Sequence, residues 1–132
     1  MEHTLMSHEI KDAARSLAER ILATQPFQDF ERSRELLASN LEAMGLLRKL
    51  EEAQENLNQI ALQRDVTDDD FAEMEQIRQK AFAHPVILSY FQAQDRLVSL
   101  LQEVNGEMST ILGFDFASSA AQLEREPEEE WE

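Results

Sequence analysis

The chain contains no cysteine. Disulfides, zinc–thiolate centres, iron–sulfur ligation and a cysteine nucleophile therefore lie outside what it can build alone. Three glycines and three prolines leave little material for the turns of an all-β fold. No apolar run approaches the ~20 residues of a membrane-spanning helix. The opening residues, MEHTLMSHEIKDAAR, lack a basic region followed by an apolar one, so no signal peptide is expected and a cytoplasmic location is. Positive charge is also scarce. Twelve Lys and Arg stand against 27 Asp and Glu, a net charge of −15. That field repels nucleic-acid phosphates and anionic lipid, so direct nucleic-acid or membrane binding is not expected and basic partners are favoured.

What the chain does have is helix-forming material. At 42% hydrophobic and 30% charged it has the composition of a folded, soluble protein. Its Ala, Leu, Glu, Gln and Arg residues favour helix. We expect an all-α fold of about five helices in an elongated bundle, with one domain over residues 1–117.

The longest helix organises the rest. Pro85 suits a first helical position and Gly113 suits the residue just past the end. Between them Ile87, Tyr90, Gln94, Leu97, Leu101, Val104, Met108 and Ile111 recur at alternating steps of three and four, a heptad seam with one polar interruption at Gln94. Phe91, Val98, Leu100 and Leu112 widen it. A helix over 85–112 would measure about 42 Å, comparable to the ~35–40 Å breadth of a compact chain of this size. The other helices are expected to pack along it.

Before it, Ser7 caps a first helix in which Ile10, Ala13, Ala14, Leu17, Ala18, Ile21 and Leu22 keep the helical period without a miss. Small residues at 13, 14 and 18 point to close approach by a neighbour. Pro26 breaks the pattern, and Phe27, Phe30, Leu36 and Leu37 mark a second helix over roughly 27–38. Ser39 and Glu42 have capping-box spacing and open a long third helix over about 40–64. Gly45 inside it marks either a close helix contact or a loose join. A second capping box, Thr67 with Asp70, opens a fourth helix ending near Ala83. The third and fifth helices are the expected antiparallel pair.

Chemistry-bearing constellations are sparse. None of His3, His8 and His84 has a carboxylate three residues before it, as ferritin-like metal sites require. His84, just before Pro85, reads as a helix-start residue. Asp68, Asp69 and Asp70 point in different directions from one helix start and are accounted for by capping. No Gly-rich phosphate loop, nucleophile elbow or HExxH helix is present. No catalytic residue, metal ligand or cofactor is expected. Tyr90 and Gln94 could line a pocket, but a polar residue in a seam more often sets helix register.

Past Gly113 the period is lost. Residues 118–132 are expected to form an acidic disordered tail. It carries the chain's one tryptophan, Trp131, a candidate anchor for a basic partner.

The run Thr24-Gln25-Pro26-Phe27-Gln28-Asp29-Phe30, then Leu41 to Gln54, then His84-Pro85-Val86-Ile87-Leu88-Ser89-Tyr90-Phe91-Gln92-Ala93-Gln94 resembles the YlbF/YmcA/YheA family of small all-helical bacterial proteins. The resemblance covers roughly residues 8–116 and is most specific from Pro85 through Leu101. It implies regulation through protein contacts, without a reaction of its own. Better-known relatives regulate competence, sporulation and biofilm formation, within a multi-protein complex linked to an RNA-cleaving endonuclease. Some carry C-terminal cysteines that help hold iron–sulfur clusters. Here the corresponding stretch, Asp115 to Ala121, has none, which places this chain with the cysteine-free members.

The combined expectation is a homodimeric regulatory adaptor that joins other regulatory subunits. Its candidate interface is Ile87, Tyr90, Gln94, Leu97, Leu101, Val104 and Met108. The alternative is a small-molecule or metal sensor with a pocket between helices.

Overall fold

A computed structural model describes residues 5–121. Five helices follow one another in the order α1 (His8–Leu22), α2 (Gln25–Ala38), α3 (Leu41–Gln63), α4 (Asp68–Phe82) and α5 (Pro85–Leu112). A short helical stretch over 116–121 comes after them. No strand is present among the described residues. The all-α expectation and its two long helices are what the structure shows.

Each helix starts on a side chain that satisfies an orphan backbone N–H. Ser7 Oγ accepts from Ile10 N–H (3.2 Å) at α1. At α2, Thr24 Oγ1 accepts from Phe27 N–H (3.4 Å) while donating back to the Ile21 carbonyl (2.7 Å), so one hydroxyl closes α1 and opens α2. α2 begins two residues earlier than the break at Pro26 suggests. Proline is tolerated in a first turn, where its missing N–H has no intrahelical partner to lose.

At α3 the expected Ser39–Glu42 box is not formed. Asn40 is the cap, its Oδ1 accepting from Ala43 N–H at 2.8 Å. Ser39 instead ends α2, its hydroxyl donating to the Leu36 carbonyl. The Glu42 carboxylate turns to His84. The Thr67–Asp70 box does form, with bonds of 3.2 Å and 2.9 Å running in both directions. At α5, His84 Nδ1 accepts from Val86 N–H (3.2 Å), so His84 is a helix-start residue, as the sequence suggested. Gly113, at φ 87°, ends α5 in the left-handed region that glycine adopts without a Cβ penalty.

The helices divide into two compact units, Met1–Gln94 and Asp95–Glu132. The boundary falls inside α5, which is continuous, so the division is one of packing and not of chain continuity. In the first unit the most extensive helix pair is α3 with α4, an antiparallel hairpin closed at one end by Arg64 to Thr67. This corrects the expected pairing of the third and fifth helices. The short connection and the completely buried Ala43 and Ala81 let α3 and α4 approach closely, which larger side chains would prevent. Leu37 and Ile87 complete the buried centre, with Leu46, Leu47, Leu50, Phe82, Tyr90 and Phe91 packed around it. Three aromatic contacts tie this layer together: Phe30–Tyr90 at 5.4 Å, Phe82–Phe91 at 5.1 Å and Tyr90–Phe91 edge-on at 5.1 Å.

Gly45 is not a close helix contact. A Cβ added there meets nothing within 4 Å.

Candidate protein-contact surface

The sequence seam separates into two parts in the structure. Ile87 is completely enclosed (0% exposed) and is spent on the chain's own core. Tyr90 is half-buried against Phe30 and Phe91 in the same unit. Gln94, Leu97, Val104 and Met108 are half-buried, and Leu101 is 44% exposed. No residue of 95–121 is buried. Over 97–112 the apolar stripe is wide, because Leu97, Leu100, Leu101, Val104, Met108 and Ile111 fall on one side of a 3.6-residue helix.

A polar clamp shapes the end of this second unit. Asn105 Nδ2 donates to Asp115 Oδ1 (2.7 Å), while Asn105 Oδ1 accepts from Ala117 N–H (2.9 Å). Ser109 Oγ accepts from Phe116 N–H (2.8 Å), and Asp115 Oδ2 accepts from Ser118 N–H (3.2 Å). Hydrogen bonds from Ser118, then Asn105, hold the Asp115 carboxyl below its ordinary range. The clamp starts the helical stretch over 116–121, so the onset of the tail, read at Ser118, falls on helical residues. It also keeps Phe114 and Phe116 exposed beside the end of α5. The sequence signal for it was Asn105 and Ser109, one turn apart, facing an Asp-initiated turn after Gly113. Trp131 and the rest of 122–132 lie outside the described residues.

A further bare surface is α1. None of its residues is buried, although its apolar residues keep the most regular period in the chain. Ile10 is 57% exposed. The small residues at 13, 14 and 18 have no close neighbour of the kind their size suggested, since all three are exposed.

Between α3 and α4, an open groove of about 460 Å³ is lined by Leu47, Leu50, Met74, Phe82 and Phe91, with Glu51, Gln54 and Arg78 at its edges. The Arg78 guanidinium lies over the Phe82 ring at 5.7 Å. The hairpin's far end is fixed by Arg64, whose two guanidinium nitrogens donate to the Asp70 carboxylate at 2.9 and 3.3 Å. Those bonds, with two more from Thr67, hold the Asp70 carboxyl far below the usual carboxylate range and raise Arg64. Asp70 is therefore committed to the cap and to Arg64. Among the described residues no three His, Asp or Glu side chains come together as a metal site.

In total, five apolar residues are buried and seventeen large ones are exposed among the described residues. Such residues mark a surface that meets other molecules where they are contiguous, as along α5 over 97–112. No helix among the described residues is long and apolar enough to cross a membrane.

The family described as control of the competence regulator ComK, YlbF/YmcA, matches residues 10–112. Among solved structures, the chain is similar to one in the crystal structure of Bacillus subtilis RicA in complex with RicF. Identity is 21%, 82% of this chain and 96% of that chain are covered, and the TM-score is 0.73. At that identity the likeness bears on the fold. No curated protein matches the chain. The family match takes in α2 to α5 whole and all but the first two residues of α1. With its all-helical fold and its bare apolar stripes, this chain belongs to the YlbF/YmcA family.

Proposed function

We propose that the chain is a non-enzymatic regulatory adaptor in the cytoplasm, acting through protein contacts as a homodimer and with other regulatory subunits. One observation carries the reading: the apolar stripe of α5 over 97–112 is left partly or fully exposed, while a hydrogen-bonded clamp fixes the turn beside it. Partial burial of a wide apolar stripe is costly in water and is relieved when a second surface covers it. The complex of RicA with RicF is a pairing between proteins in a structure of this fold, and it supports the reading. The interface residues are Leu97, Leu101, Val104 and Met108, with Gln94 at the border. Ile87 and Tyr90 serve the core of the first unit. Trp131 in the acidic tail is a second anchor, and deleting residues 124–132 weakens a partner complex without lowering the melting temperature.

The test is affinity purification of the tagged protein from its own cells, with and without nuclease, read by mass spectrometry. A stoichiometric protein partner that survives nuclease is expected. Loss of every partner on nuclease treatment would overturn the reading in favour of a nucleic-acid-tethered protein. Raised thermal midpoints with a metal or metabolite in place of any protein partner would favour a sensor.

A further inference from the structure

We infer that the hollow where α3, α4 and the start of α5 meet binds a small organic phosphate, with Lys49, Lys80 and the His84 imidazole as its donors. This is independent of the proposed self-pairing, since every residue involved lies in the first unit.

Lysine is the scarcer cation of the chain, with three lysines against nine arginines. Two of the three, Lys49 on α3 and Lys80 on α4, border this one hollow. Both are exposed. Neither takes part in an ion pair among the described residues, although the chain holds 27 acidic residues. Lys80 taken alone is accounted for by the last turn of α4, where the helix dipole favours a cation. Lys49 stands in the middle of α3 and has no such reason. Two like charges on one hollow repel each other, and an anion held by both turns that cost into attraction.

The one carboxylate of the lining, Glu42, is bonded to its one imidazole, with His84 Nε2 at 3.0 Å from Glu42 Oε1. Because His84 Nδ1 accepts from Val86 N–H, the neutral ring carries its proton on Nε2 and donates it to Glu42. The two side chains differ in freedom. That of His84 is 13% exposed and is pinned to the start of α5, whereas that of Glu42 is 79% exposed. A fixed donor with a replaceable acceptor suits exchange. A phosphate oxygen takes over the Nε2–H bond and the Glu42 carboxylate moves out to water, so Glu42 holds the place of the ligand.

Gly45 is an observation of a different kind. It lines the same hollow, and a Cβ added to it meets nothing within 4 Å. Nothing in the chain therefore requires a glycine there, although glycine inside a helix is destabilising relative to alanine. What the missing side chain provides is room for a ligand to approach the wall of α3 closely. Leu41, which is 88% exposed, gives the hollow an apolar side together with Leu46 and Pro85, a seat for an organic group. The volume of about 570 Å³ is that of a small-molecule site. Lysine in place of arginine favours phosphate over carboxylate, because an ammonium is a point charge and lacks the planar fork that matches a carboxylate. A nucleic acid or a membrane is the less favoured source of that phosphate. Either presents many charges to a chain of net −15, whereas a small anion responds mainly to charges within about 8 Å at physiological salt. The adjoining hollow, which Lys49 also borders, carries Glu52 and Glu73 and does not suit an anion.

The test is a titration of the full-length, nitrogen-15-labelled protein with phenyl phosphate and, separately, with inorganic phosphate, followed by NMR. Saturable shifts are expected at the amides of Gly45, Lys49, Lys80 and His84. Phenyl phosphate should bind about tenfold tighter than inorganic phosphate, because its ring covers apolar surface. Lys49→Gln with Lys80→Gln should weaken binding at least about tenfold, since two charge-assisted hydrogen bonds are lost. The same change of charge in Arg15→Gln with Arg20→Gln should leave affinity within about twofold, because general charge effects are screened. Glu42→Ala should tighten binding about threefold, as the His84 donor is then free. All these side chains are exposed, so helical circular dichroism and melting temperature should stay near wild type. Equal losses from the lysine and arginine pairs overturn the inference, as does Glu42→Ala binding no tighter than wild type. Inorganic phosphate binding as tightly as phenyl phosphate overturns it in favour of a plain ion site. Saturation of the same amides by a glutamate-rich peptide or by phosphatidylglycerol vesicles, and not by phenyl phosphate, overturns it in favour of a protein or a membrane.

Discussion

Replacing Gly45 by alanine tests how far the interior of the first unit is closed. Gly45 lies in the fifth position of α3, and glycine inside a helix costs about 1 kcal/mol against alanine, mostly in backbone entropy. That gain is realised when the added methyl has room, and here a Cβ meets nothing within 4 Å. Gly106, inside α5 and in the second unit, has the same open surroundings and serves as a matched control. Each substitution should stabilise the chain by about 1 kcal/mol. With unfolding entropy near 2.1 cal/mol/K per residue, that is about 4 °C in melting temperature for a chain of this size. The two should add within about 0.5 kcal/mol, because they lie in different units. Urea denaturation at low protein concentration, followed by helical circular dichroism, gives both values. A fall in stability for Gly45→Ala alone would refute the open surroundings at α3. Stabilisation at low concentration that reverses at high concentration would mean a partner's backbone closes on Gly45.

Other perturbations probe the remaining contacts. Ile87→Ala, at the one large side chain that is completely enclosed among the described residues, should cost about 2–5 kcal/mol in chemical denaturation, and a cost below 1 kcal/mol would show that the core collapses around it. Leu101→Glu should leave the helical signal and melting temperature near the wild-type values while lowering the mass seen in sedimentation, because Leu101 is 44% exposed. Asp70→Asn bears on pH. The folded-state carboxyl is depressed, so its contribution is complete above the unfolded value near 3.9 and is lost as pH falls below it. The stability gap between wild type and Asp70→Asn should be constant from pH 7 to 5 and shrink below about pH 4. A gap independent of pH would mean that Arg64 and Thr67 do not hold the charged form.

The parts of the fold that could be read in the sequence are those decided within one or two helical turns. Thr67 and Asp70 complete each other's bonds across three residues, so their spacing alone located the start of α4. Ser39 and Glu42 have the same spacing and did not pair. Asn40 competes one residue later with a 2.8 Å bond, and Glu42 is drawn to His84, 42 residues away, a contact that no local pattern contains. The seam over 87–108 is a run of apolar positions broken by Gln94. Periodicity does not distinguish a residue enclosed by its own chain from one left for a neighbour, so Ile87 and Leu101 looked alike and have opposite surroundings. The same holds for α1, whose unbroken period contains no buried residue. The Asn105–Asp115 clamp was missed because it joins α5 to residues where the apolar period has ended.

One hydroxyl sets the direction of α1. Thr24 donates to the last turn of α1 and accepts from the first turn of α2, and only Ala23 and Thr24 separate the two helices. A stiff joint fixes the bearing of a lever before anything grips it. A helix held this way loses little rotational freedom when another surface meets it, so binding energy is not spent on finding an orientation. Thr24→Ala would leave α1 helical while turning the joint into a swivel, and the loss would be seen as slower capture, with the contacts themselves unchanged.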